Sequence, residues 1–358
     1  MPNRNYKEEI EVLIARAITD GASDIHLAVG HYPTFRVAGN LVPLMNLYVL
    51  TPEDTMEMLT HLITPEFKEK FLVNKELDFS YEFFNKGRFR GSAFYQKNAV
   101  GVALRAIPTQ VKTIKELNLP PILEVFTKKK QGFFLVVGPV GQGKSTTLAS
   151  MVELINRERA EHIVTIENPI EYLFSPQKAI IDQREVGIDT RDFTSGLQAV
   201  FRQDVDVIMI GEMRDPETIS TAVTAAETGH LVLSTLHTNN ASQTIDRIID
   251  SFPGDQQSQI RVQLAGSLIG IFSQRLIPRV SGGLIPAFEL LINNTAVSSL
   301  IREGRTHEVD IVIETGMKDG MIDMNRSLAE LVLKGEVTAE NAILYSFNPK
   351  GLERILQG

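Results

Sequence analysis

The spacing of hydrophobic and polar positions changes once along this chain, near residue 132. Before that point, Ile10, Leu13, Ile14 and Ile18 recur at helical spacing and predict an amphipathic helix over residues 6–20. A second helix is expected at "TPEDTMEMLTHLI". Thr51 suits its N-cap, Pro52 its first turn, and Glu53 and Asp54 the positive helix end. The runs "ELDFSYEF", "RFRGSAFYQ" and "VGVALRAI" then alternate in character, with "NKG" as a turn between the first two. They predict an antiparallel sheet with helices on one face.

After residue 132 the runs "GFFLVVG", "HIVTIE", "DVIMIG" and "HLVLSTL" are short, apolar and rich in β-formers, with helical stretches between them. Strands of that kind are buried on both faces of a parallel sheet, so an α/β domain with a doubly wound or RecA-like sheet is expected. The stretch "IPTQVKTIKELNLPP", residues 107–121, has three prolines and no strong period, and reads as a linker. The expected division is residues 1–106, the linker, and residues 122–358, the part beyond residue 255 reading mostly helical.

Composition narrows the class. A chain of 358 residues with 43% hydrophobic and 22% charged positions has room for two globular domains. No run of 18 apolar residues occurs, and "MPNRNYKEEIEVLIARAITDG" carries acidic residues where a signal peptide needs its apolar stretch, so a cytoplasmic protein is expected. Zero cysteines excludes disulfides and cysteine-ligated zinc or iron–sulfur sites. The net charge of −8 argues against nucleic acid as a partner. Lys128, Lys129 and Lys130 form the only basic cluster and read as a solvated helix end.

The chemistry is concentrated in four places. "GPVGQGKSTT" satisfies G-x-x-x-x-G-K-[ST] and stands between a buried strand and a helix, the context that such a motif requires. Gly138, Gly141 and Gly143 let backbone N–H groups turn toward phosphate. Lys144 reaches the terminal phosphates, Ser145 can ligate Mg²⁺, and Thr146 follows in the helix N-terminus. The strand in "DVDVIMIGEMRD" delivers Glu212 to the C-terminal edge of the sheet, where it can orient an attacking water or a metal-bound one. "HIVTIENPIEY" delivers Glu167 in the same way, with Glu171 following. His230 and His237 flank the strand in "GHLVLSTLHT"; His237 lies on the nucleotide side, suited to sensing the terminal phosphate, and His230 at the opposite end reads as a hydrogen-bonded positioning residue.

The set "GPVGQGKSTT", "TIENPIEY", "MIGEMRDPETI", "TAAETGHLVLSTLHTNNA" and "TIDRIIDSFP", with "ASDIHL" near the N-terminus, resembles the secretion and pilus ATPase superfamily. The likeness is greatest to its shorter, pilus-retraction branch. The resemblance implies a homohexameric ring whose subunits pair an N-terminal PAS-like α+β domain with a C-terminal RecA-like P-loop ATPase domain and bind ATP and Mg²⁺ between them. It makes Glu212 the catalytic acid, puts Glu167 in the Asp box and both histidines in the His box, and brings Arg90 and Arg105 of the N-terminal domain, with Arg88 a weaker match, toward the phosphates. Its partners would be an inner-membrane pilus platform protein and, indirectly, pilin, with the ring peripheral at the inner face of the cytoplasmic membrane.

Two departures bear on that reading. Asn168 stands between Glu167 and Pro169 where the family commonly has Asp, and "AVSSLIRE" has Ser298 and Ser299 where the retraction motif has Arg and Asn. An assembly or secretion motor of the same superfamily, and an ATP-binding regulatory module with poor turnover, therefore stand beside the retraction motor. The four-cysteine zinc insertion usual in assembly-type relatives is lacking.

Overall fold

The structure is a computed structural model that describes residues 4–84 and 86–357; the expected "NKG" turn starts at Asn85, outside the described residues. The chain forms two compact units. One comprises the residues up to Gln110 together with Glu171–Leu173, the other Val111–Ile170 and everything from Phe174 onward.

The first unit runs α1 (Tyr6–Thr19), β1 (Asp24–Leu27), β2 (Thr34–Val37), β3 (Asn40–Pro43), α2 (Pro52–Leu62), α3 (Pro65–Asn74), β4 (Glu76–Phe83), β5 (Gly87–Gln96) and β6 (Ala99–Ile107). Its strands form an antiparallel sheet in the order β3-β2-β1-β6-β5-β4. On α1 the buried stripe is Ile10, Leu13, Ile14 and Ala17, while Ile18 sits at the stripe's edge and is 40% exposed. Helix α2 begins at a capping box, in which the Thr51 hydroxyl accepts from Asp54 N–H and the Asp54 carboxylate accepts from Thr51 N–H. The other oxygen of Asp54 accepts from Arg4 at 2.7 Å and Tyr6 at 3.0 Å. A residue legible as a helix-end charge thus also ties α1 to α2.

The second unit runs α4 (Leu123–Thr127), β7 (Gly132–Val137), α5 (Lys144–Glu158), β8 (His162–Glu167), β9 (Ile180–Glu185), α6 (Phe193–Val200), β10 (Val207–Ile210), α7 (Pro216–Glu227), β11 (Leu231–Leu236), α8 (Ala241–Asp250), α9 (Gly254–Ser267), β12 (Leu268–Pro278), β13 (Leu284–Ile292), α10 (Thr295–Glu303), α11 (Val309–Thr315), α12 (Met324–Leu333), α13 (Ala339–Tyr345) and α14 (Pro349–Gln357). Its sheet has the order β13-β12-β7-β11-β10-β8-β9, every neighbouring pair parallel except β12–β13. All residues of β7, β10 and β11 are buried, as their unbroken apolar runs require.

Strands β12 and β13 depart from the helical reading of the region beyond residue 255. Most of β12 is buried, which removes the alternation that marks a half-buried strand, and α9 passes into it at Ser267–Leu268 with no turn residue between. Ile277, Ile285 and Ala287 of these strands form a small core with Met324, Leu328, Val337 and Leu352, so the terminal helices pack on a sheet edge. Among the described residues no helix is long and apolar enough to cross a membrane.

Gly91 of β5 lies opposite Phe79 of β4, and a Cβ built on it would stand 2.2 Å from the Phe79 ring. Phe79 is itself buried, 4% exposed. Gly91→Ala is expected to destabilise the protein by about 1–3 kcal/mol through overpacking, read as a lowered denaturation midpoint at unchanged slope. An unchanged midpoint would mean that the ring moves without cost.

Candidate active site

The parallel register of β7, β11, β10 and β8 brings the C-terminal ends of four strands to one edge of the sheet, with Val137 beside Leu236 and Ile210 beside both Ser234 and Ile166. Each strand end delivers its expected group to that edge: the glycine loop after β7, His237 after β11, Glu212 after β10, and Glu167 as the last residue of β8.

The loop leaves β7 at Gly138, whose φ is +147°, and enters α5 through Gly143, whose φ is +78°. Gly138 has no room for a side chain, since a Cβ there would lie 2.5 Å from the Gln274 carbonyl oxygen. Lys144 opens α5, and its Nζ donates to the Gly138 carbonyl at 2.8 Å and the Pro139 carbonyl at 2.9 Å and lies 3.2 Å from His237 Nδ1. Its side chain is curled over the loop that precedes it, in a residue only 7% exposed. Ser145 and Thr146 follow in the first turn, half-buried at the positive end of the α5 dipole.

His237 connects Lys144 to the carboxylate. With Nδ1 accepting from the ammonium, Nε2 carries the proton and faces Glu212 Oε2 at 3.5 Å. The other oxygen of Glu212 meets Arg214 Nη2 at 2.8 Å. Lys144, His237, Glu212 and Arg214 are one chain of polar contacts. Glu212 is held by its backbone as well: Ser234 and Thr235, polar residues inside the buried strand β11, donate to the Ile210 and Gly211 carbonyls at 2.9 and 2.7 Å. Glu167 is buried and accepts from Thr165 at 2.7 Å and Gln183 at 3.4 Å, with its backbone against Gly211. Asn168 precedes Pro169 through a cis peptide bond, and Glu171 falls in the other compact unit.

His230 lies at the far end of β11, its Nδ1 2.9 Å from the Ala225 carbonyl and its ring edge-on to Phe201. The structure does not bring it to Lys144 and Glu212. Asp215 caps α7 by accepting from Thr218 N–H at 2.8 Å, and Glu217 is in that helix's first turn.

In the first unit Arg90 and Arg105 are direct cross-strand partners, and the register continues from Arg105 to Asp24 and from Asp24 to Arg36. Opposed residues project from the same face of a sheet, so this is a row of three arginines and one aspartate. Asp24, the acid of "ASDIHL", binds Arg105 Nε at 2.8 Å and lies 3.8 Å from Arg36. Burial opposes its charge, but the bonds from Arg105 and Ser23 hold its carboxyl below the usual range. Arg105 remains 74% exposed and Arg90 is exposed. The row keeps an excess of positive charge facing outward.

Three residues of the second unit's site had no sequence reading: Gln142, Gln274 and Glu289. Gln274 in β12 and Gln142 in the loop bond each other's segments. Glu289 of β13 is buried and accepts from Ala241 N–H, the first residue of α8, at 2.9 Å and from the Ser273 hydroxyl at 3.1 Å. For Gln274 and Glu289 the only signal is a polar side chain within a largely apolar strand, and Gln142 has none beyond its place in the glycine loop. Among the described residues no group of three or more His, Asp or Glu side chains is arranged to hold a metal ion.

The sequence profile of the family described as type II/IV secretion system protein matches residues 88–317. The chain is 42% identical to the uncharacterised protein YggR of Escherichia coli (strain K12), over 92% of this chain and 99% of that one. It is 40% identical to the type IV pilus retraction ATPase PilT of Pseudomonas aeruginosa, over 93% of this chain and 97% of that one. Among solved structures it is similar to a crystal structure of the pilus retraction motor PilT with bound ADP, at 46% identity and a TM-score of 0.89, covering 96% of this chain and 99% of the other.

Burial pushes the Glu289 carboxyl up to about 7; the bonds from Ala241 and Ser273 oppose the shift, and the charges of Asp310 and Asp323 add to it. An acid raised in the folded state stabilises the fold below its unfolded pKa of 4.5, and that contribution is lost as pH rises toward about 7, because the unfolded chain ionises first. From pH 5 to 7.5 this group is expected to remove about 2 kcal/mol of stability. Glu289→Gln, which keeps the acceptor toward Ala241, is expected to flatten that slope in denaturant unfolding. Identical slopes in both proteins would show that Glu289 does not titrate there.

Proposed function

Since this chain belongs to the type II/IV secretion system protein family, we propose that it is a motor ATPase that hydrolyses ATP to power type IV pilus retraction, the activity behind twitching motility. The observation that carries the chemistry is the polar chain from Lys144 through His237 to Glu212 at the mouth of a glycine loop. The retraction reading is supported by near full-length similarity to a retraction ATPase in both directions.

The residues fit a nucleoside triphosphate. Gly138, Gly141 and Gly143 leave the loop backbone open to phosphate, and the α5 N-terminus adds positive potential. The two carbonyls that accept from Lys144 are neutral, and a phosphate oxygen outcompetes them by charge. As the ammonium turns to the terminal phosphate, His237 loses its donor at Nδ1 and its hold on Glu212 changes, so the carboxylate registers whether that phosphate is present. Glu212, tethered by Arg214 and by the braced end of β10, orients the attacking water and takes its proton. Mg²⁺, held by Ser145, by the phosphates and through water by Glu212 and Glu167, would neutralise charge on the phosphates. Arg90 and Arg105 supply the charge neutralisation that the resemblance gives to N-terminal arginines. His230, bonded at the far end of β11, positions that strand. The working form is a homohexamer, peripheral at the inner face of the cytoplasmic membrane, that acts on a pilus platform protein and through it on pilin.

Glu212→Gln is expected to lower steady-state ATP hydrolysis at least about a hundredfold while ATP still binds, and Lys144→Ala to abolish binding. Chelation of Mg²⁺ with EDTA is expected to stop turnover in the wild type. Full turnover in Glu212→Gln would remove its assigned role. Loss of twitching in cells carrying Glu212→Gln, with pili still on the surface, separates retraction from assembly: bald cells would favour the assembly motor.

A further inference from the structure

We propose that Gln274 is a positioning residue of the phosphate-binding loop, acting through Gln142 and Thr147 on Lys144 without touching nucleotide. The role presupposes that the glycine loop holds nucleotide. Gln274 is in β12, the strand beside β7, and is 3% exposed. Its Nε2 donates to the Gln142 carbonyl at 2.7 Å, and its Oε1 accepts from the Thr147 hydroxyl at 2.6 Å. The Gln142 side chain returns the contact, its Oε1 accepting from Leu276 N–H at 2.7 Å. The backbone carbonyl of Gln274 also lies where a Gly138 side chain would be. One residue thus fixes the loop's first position, its penultimate position and the first turn of α5.

Lys144 lies between the two side-chain anchors in sequence, and its ammonium returns to the carbonyls of Gly138 and Pro139. The remainder of the loop has little to hold it: Val140 is 80% exposed and Gly141 has open space around its Cα. A glycine loop that is loose before binding must be ordered by the ligand, which weakens affinity. An amide meets the need because donor and acceptor are required from one buried side chain at once. Glutamate would turn a second acceptor toward the Gln142 carbonyl, and an apolar residue would leave that carbonyl and the Thr147 hydroxyl unpaired.

The test compares ATP binding, read with a fluorescent ATP analogue, and nucleotide-free melting temperature in wild type and variants. Gln274→Met keeps the volume and removes both bonds; Thr147→Val removes one; Thr147→Ser keeps the hydroxyl. Thr147→Val is expected to weaken ATP binding about tenfold, the size of one hydrogen bond expressed in affinity, and Gln274→Met, which loses two, by more. Thr147→Ser is expected to bind as wild type, and the double variant no more weakly than Gln274→Met alone, because Gln274→Met already breaks the link that Thr147→Val removes. A purely structural amide would lower the melting temperature and leave the affinity of the folded protein unchanged, which overturns the proposal. If Gln274→Met does not fold, the Thr147 pair decides: weakening by Val but not Ser upholds it, and wild-type affinity in both overturns it. Lys144→Ala separates the two levels. Undiminished binding in that variant defeats the nucleotide-site reading and this inference with it, whereas binding lost in Lys144→Ala but intact in Gln274→Met defeats this inference alone.

Discussion

A buried ammonium has to be surrounded by acceptors, and at Lys144 those acceptors include carbonyls of its own loop and one imidazole nitrogen. That requirement shapes the rest of the site. The loop must double back far enough for Gly138 and Pro139 to meet a side chain six residues beyond Gly138, which demands a positive φ at Gly138 and a backbone pressed against β12. The imidazole must come from the neighbouring strand, so β11 has to end level with β7, and the register of Leu236 with Val137 provides it. Glu212 is then within reach of the same imidazole because β10 is the next strand outward.

The sequence exposes this logic unevenly. Strands β4, β5 and β6 and the four buried strands of the second unit follow from period alone, because in each the pattern reports a single environment along the whole run. Strand β9 is an edge strand of mixed polarity, "IIDQRE", with neither alternation nor an apolar run. Strand β12 is hidden by the opposite circumstance, being buried beside other strands and fused to a helix. Gly138, Lys144, Glu212 and His237 were legible because strand ends and a strict motif announce them. Gln274 and Glu289 were not, since a buried polar residue is recognised only from the partners that folding brings to it, more than a hundred residues distant for Gln274 and Gln142. Asp24 is intermediate: visible in "ASDIHL" as a residue, and intelligible only once β1 and β6 are in register with Arg105 opposite.

The departures from the retraction motif also have a physical account in part. Ser298 lies 3.0 Å from the Ala265 carbonyl of α9 and equally near Asn293, whose own amide bonds the carbonyls of Ala265 and Leu268. A long cationic side chain is replaced by a short hydroxyl that holds α10 against the end of α9. Arg302 and Glu303, in the unchanged half of the motif, are exposed on the same helix. Ser299, half-buried and 3.3 Å from Arg302, has no comparable internal anchor. At Ser298 the small residue makes a fixed helix–helix joint.

That joint lies where α9 becomes β12 without a turn. A turn between elements works as a slack coupling, able to absorb displacement by changes in a few dihedrals. Here helix and strand share one uninterrupted stretch of chain, with Ser298 and Asn293 bonded across its elbow and Gln274 further along the same strand. Any displacement of α9 has one short covalent route, through Leu268 and Gly270, to the strand whose Gln274 holds the glycine loop.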